Sequence, residues 1–110
     1  VGPVIALLLA ALTLAVTPQV SFSPATVKAK VQIDPSDRPQ TLFVALISDD
    51  FEQQTELPIA PSTKRQTIWI APWVRVPAGV YQVFVALSRD GKVIAAQRLP
   101  VHVQAGFGGQ

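Results

Sequence analysis

The chain has 110 residues, a net charge of +2, 15% charged residues and no cysteine. That length is one domain's worth, and the missing cysteines exclude disulfide staples and thiolate metal sites. The lysines and arginines are scattered and form no basic stripe interleaved with aromatics, so no nucleic-acid partner is expected.

Residues 4–16 (VIALLLAALTLAV) are apolar apart from Thr13, and no charged residue precedes Lys28. A run of this kind fits the hydrophobic stretch of a signal peptide, about 7–15 residues long. A helix buried in a soluble domain would show a polar face, and this run shows none. A membrane span needs about 20 apolar residues, whereas the run fades at Thr17-Pro18-Gln19. The expectation is an N-terminal apolar helix within residues 1–23, either cleaved as a signal peptide or kept as a membrane anchor. The protein is then secreted or periplasmic, and touches a membrane only through that segment.

From Val27 the pattern has period 2. Val27, Ala29, Val31 and Ile33 alternate with Lys28, Lys30 and Gln32, as in a strand with one wet face. Asp34-Pro35-Ser36-Asp37-Arg38-Pro39 breaks it. Residues 41–48 (TLFVALIS) are apolar at both phases, which predicts a central strand covered on both sides. Asp49-Asp50 closes that strand. Residues 53–59 form a weaker strand whose Pro58 points to an edge or a loop. Residues 66–71 (QTIWIA) are rich in β-branched and aromatic side chains. Pro72-Trp73 interrupts, Val74-Arg75-Val76 resumes, and Pro77-Ala78-Gly79 turns the chain. Tyr81, Val83, Val85 and Leu87 then alternate with Gln82, Phe84, Ala86 and Ser88. Asp90-Gly91 is a hairpin signal, because both residues tolerate the positive φ of a type I′ turn. A last strand spans residues 93–103, with Pro100 marking an edge or a bulge. Residues 105–110 (AGFGGQ) read as a flexible tail. About six to seven short strands separated by turns predict an all-β, antiparallel sandwich over residues 24–104.

Residues 76–83 (VPAGVYQV) resemble the L-P-x-G-x-Y-x-V segment of immunoglobulin-like and fibronectin type III-like modules of exported bacterial proteins. Ser88-Arg89-Asp90-Gly91-Lys92 resembles the hairpin before their final strand. Residues 34–42 are similar to the proline-rich approach to their second strand. The resemblance implies an immunoglobulin-like sandwich in which Tyr81 begins the penultimate strand, with its ring buried and its hydroxyl bonded to backbone upstream.

Catalytic patterns are sparse. His102 is the single histidine, and the strand alternation puts it on the outer face, opposite in phase to Val101 and Val103. A zinc site would need carboxylates gathered from other loops. Asp49, Asp50 and Glu52 form an acidic cluster without the alternating spacing of a calcium loop, and a solvated turn accounts for it. No nucleophile elbow and no phosphate-cradling glycine loop occurs. No enzyme activity, metal or cofactor is expected. The aromatics remain: Trp69, Trp73 and Phe84 cannot all face one interior by alternation, and they are the candidate contacts to a ligand or partner. The function expected is a non-catalytic extracytoplasmic interaction or structural module with a protein partner. The alternatives are a carbohydrate-binding accessory module using exposed tryptophans, and a membrane-anchored periplasmic subunit of a larger assembly.

Overall fold

The computed structural model describes residues 12–106. Strand follows strand: β1 (Leu12–Thr17), β2 (Val20–Phe22), β3 (Ala25–Ile33), β4 (Gln40–Ser48), β5 (Phe51–Ile59), β6 (Gln66–Trp69), β7 (Trp73–Val76), β8 (Gly79–Arg89) and β9 (Lys92–Gln104). They form two sheets. The smaller has the order β1-β3-β6, with β7 also paired to β3, and the larger has the order β2-β9-β8-β4-β5. All neighbours are antiparallel except β2 and β9.

Two expectations need correction. Nine strands form among the described residues rather than six or seven, and no helix occurs there. The front of the apolar run, residues 4–11, lies outside the described residues. Its remainder is β1, which pairs with β3 from Leu12↔Ile33 to Thr17↔Lys28. Leu12, Leu14 and Val16 enter the core while Thr13, Ala15 and Thr17 face out. The exposed positions carry small, weakly polar side chains, so the period of two is hard to see in the sequence. A short apolar run cannot be assigned to helix or strand by periodicity alone. Among the described residues no helix is long and apolar enough to cross a membrane.

The core lies between the sheets. Val27, Ala29, Val31 and Ile33 of β3 face Leu42, Val44 and Leu46 of β4 and Val83, Val85 and Leu87 of β8. The predicted alternation on β3 and β8 therefore holds. The chain also ties the sheets together at its start. After β1 it crosses to the larger sheet as β2 and returns as β3. Gln97 reaches across from β9, and its Oε1 accepts a hydrogen bond from the Leu14 N–H at 2.8 Å. That occupies one donor of β1, the end strand of its sheet.

Asp90 and Gly91 link β8 to β9 with φ of 53° and 77°, the positive pair that a type I′ turn requires. A Cβ at Gly91 would meet nothing within 4 Å, so Gly91→Ala tests the backbone conformation alone. It should cost about 1 kcal/mol in a urea melt. An unchanged midpoint would contradict the turn geometry.

At the tail, the Gly106 N–H donates to Ser23 Oγ at 3.2 Å, and residues 107–110 lie outside the described residues.

Candidate functional site

Trp69 and Trp73 are close in sequence but differ in environment. Trp69 ends β6 on the outer face of the smaller sheet and is 71% exposed. The Lys30 ammonium, cross-strand on β3, sits 5.4 Å from its ring centroid and fixes one face of the indole by cation–π attraction. Trp73, in contrast, is 8% exposed and belongs to the core. A bulge explains this. β3 pairs Ala25 with Val76 but Val27 with Trp73, so one strand advances two residues while the other advances three. Arg75 absorbs the surplus at φ 56°. Trp73 and Val76 can therefore both point inward, which strict alternation forbids.

Both tryptophans border one cleft of about 650 Å³ between β5 and the β6–β7 connection, with Gln53, Gln54, Thr55 and Leu57 on the facing side. β5 ends its sheet, so one side of its backbone has no strand partner among the described residues. Its positions 52–56 are exposed at both phases. The polar sequence Glu52-Gln53-Gln54-Thr55-Glu56 keeps this open edge hydrated. The cleft thus joins unpaired strand backbone to one large exposed ring. The two-ring platform that sugar stacking would use does not form, because Trp73 is buried.

Phe84 lies elsewhere. It projects from β8 onto the outer face of the larger sheet and is half-buried. Its ring packs edge-on against Phe43, centroids 6.1 Å apart, and the Arg98 guanidinium lies 5.6 Å from its centroid. A second depression of about 630 Å³ on this face is bordered by Phe84, Arg98, Gln82, Val80, Ile47 and Asp49. The structure therefore separates the three candidate residues into a cleft residue, a core residue and a sheet-face residue.

His102 is exposed on β9, cross-strand from Val80 and Val20. Asp49 and Asp50 form the two-residue turn between Ser48 and Phe51, where Ser48 Oγ and Asp50 Oδ1 are 3.4 Å apart. Glu52 is carried onto the outer face of β5 opposite Ile47. Among the described residues no three His, Cys, Asp or Glu side chains gather as a metal site would need. Sequence reasoning missed Lys30 and Arg98 as partners of the exposed rings. Their pairing depends on strand register between distant segments, which local pattern does not carry.

No family model matches the chain, and no curated protein does. Among solved structures, the sporulation control protein Spo0M from Bacillus subtilis is similar in fold. The TM-score is 0.58 at 11% identity, over 86% of this chain and 49% of that one. The chain spans about half the length of that neighbour, and at such identity the likeness concerns the fold alone.

Proposed function

We propose that the chain is a non-catalytic interaction module that receives an extended segment of a partner protein in the cleft between β5 and β6. The observation that carries this is Trp69, an indole 71% exposed beside the open edge of β5. The unpaired edge offers main-chain hydrogen bonds to an added strand, and the indole offers apolar area that covers it. The strand order supports an immunoglobulin-type reading of the module: three strands with β3 in the middle face a sheet in which β9, β8, β4 and β5 are consecutive. Export belongs to the same proposal, and cell fractionation of the naturally expressed protein checks it.

Selection of binding peptides from a random display library tests the site. Selected peptides should bind the chain and lose about ten-fold or more in affinity on Trp69→Ala, with the melting temperature unchanged. Equal binding by the variant removes the cleft from the reading. Retention of oligosaccharides in place of peptides would favour the carbohydrate alternative.

A further inference from the structure

The two outer faces of the sandwich differ in kind. The smaller sheet turns Thr13, Lys28, Lys30 and Gln32 to its outer side. The larger sheet turns out Phe43, Ala45 and Ile47 from β4 and Phe84 and Ala86 from β8. Val20, Val80 and Val93, all more than 60% exposed, lie on the same face. β4 is apolar at both phases, as a strand covered on both sides would be, yet among the described residues nothing covers this side.

We propose that a second copy of this chain covers it, related by a two-fold axis that lies between β4 and β8 and runs parallel to them. The cross-strand register carries the argument. Phe43 stands opposite Ala86, and Ala45 stands opposite Phe84. Rotation about that axis exchanges β4 with β8. Each phenyl ring of one copy then comes down over an alanine of the other, where the surface is lowest. Ala45 and Ala86 are 0% and 7% exposed, sheltered on the floor between the rings. Large side chains meet small ones in both rows.

Charge selects the same axis. On β5 the rows continue to Glu56 beside Phe43, Gln54 beside Ala45 and Glu52 beside Ile47. On β9, Arg98 stands beside Phe84. The rotation lays β5 of one copy over β9 of the other, so Arg98 arrives above Gln54. Glu52 and Glu56 flank it, each about 7 Å away along the strand. Among the described residues none of these three charges is in a salt bridge. An axis perpendicular to the strands would instead stack β5 on β5 and bring glutamates together, which like-charge repulsion opposes. The chosen arrangement is isologous and compatible with aligned packing of two twisted sheets. Four strands about 4.8 Å apart and three rows about 7 Å apart give roughly 400–500 Å² per copy. That is below the roughly 800 Å² per partner of a standard interface, so the dimer is weak and concentration-dependent.

Sedimentation equilibrium of the 110-residue chain from micromolar to millimolar concentration tests this. The wild type should pass from monomer to dimer, more readily at low salt. Arg98→Glu, and the double variant Glu52→Lys with Glu56→Lys, should each weaken self-association by about ten-fold or more. An equimolar mixture of the two should restore it, because every contact then joins opposite charges. Trp69→Ala should leave dimerisation unchanged, which separates this interface from the peptide cleft. A wild type that stays monomeric at millimolar concentration overturns the proposal. So does a mixture that fails to associate, or capture of an unrelated protein on this face by a monomeric chain.

Discussion

Tyr81→Ala should cost about 3–5 kcal/mol in a denaturant melt, while Tyr81→Phe should cost about 0.5–1.5 kcal/mol. The ring is 2% exposed within the core and meets Phe51 edge-on at 5.5 Å. Its hydroxyl donates to the Pro77 carbonyl at 2.7 Å, pinning the turn that precedes β8. Gly79 makes room for this. A Cβ there would lie 3.2 Å from Tyr81 Cε1, tight enough to push the ring off its bond. Phenylalanine keeps the packing and loses one hydrogen bond, whereas alanine also leaves a cavity. Against a total stability of roughly 5–15 kcal/mol, the alanine loss is large. Equal, small effects for the two variants would mean that the ring is not in the core. The same residue gives a pH signature. Burial, with the Asp50 carboxylate adding to it, pushes the phenol above its ordinary value of 10.0. Below pH 10 both folded and unfolded tyrosine are protonated and its contribution is complete. As pH rises further the unfolded state ionises first, so stability falls until the folded phenol also ionises. Tyr81 is the one tyrosine in the chain. Tyrosinate absorbance therefore follows the ionisation directly, and Tyr81→Phe should flatten that part of the stability profile.

Leu12→Ala should destabilise the protein by about 2–5 kcal/mol, and Thr13→Ala by no more than about 0.5 kcal/mol. Leu12 is fully buried against the core, while its neighbour faces solvent. A helical leader outside the domain would make the two substitutions alike. Removing residues 1–17 takes away Leu12, Leu14 and Val16 together. At about 1.5–3 kcal/mol for each buried side chain, that approaches the whole stability of a domain this size. The truncated chain should lack a cooperative melt by circular dichroism. Any processing of an exported form must then leave Leu12 onward in place, and the N-terminal sequence of the mature protein checks it.

The strands that read most clearly were those whose two faces differ chemically. On β3, lysines alternate with aliphatics, and on β8 the register follows from Tyr81, Val83 and Val85. Asp90-Gly91 declared its turn because few residue pairs accept two positive φ angles. β1 was obscured by the same logic, since Thr13 and Ala15 are too weakly polar to mark a wet face. β2 is three residues long and exists through its pairing with His102, Val103 and Gln104, a partner no local window includes. The split between Trp69 and Trp73 depends on a bulge at Arg75, and one extra residue reverses the phase of everything after it. For the sheet face, the sequence displayed the apolar residues of β4 but left open whether the chain itself would cover them.

The parallel pairing of β2 with β9 sets the order in which this protein can be assembled on the ribosome. Val20 meets His102, the His102 N–H donates to the Gln19 carbonyl at 2.8 Å, and the Ser23 N–H donates to the Gln104 carbonyl at 2.7 Å. These partners sit at opposite ends of the coding sequence. At roughly 5–20 residues per second, β2 waits several seconds for a strand that has not yet been made. During that interval its exposed valine, and the sheet edge it will later seal, are open to any passing chain. Release from the ribosome, rather than emergence of the first strands, is when the sandwich can close.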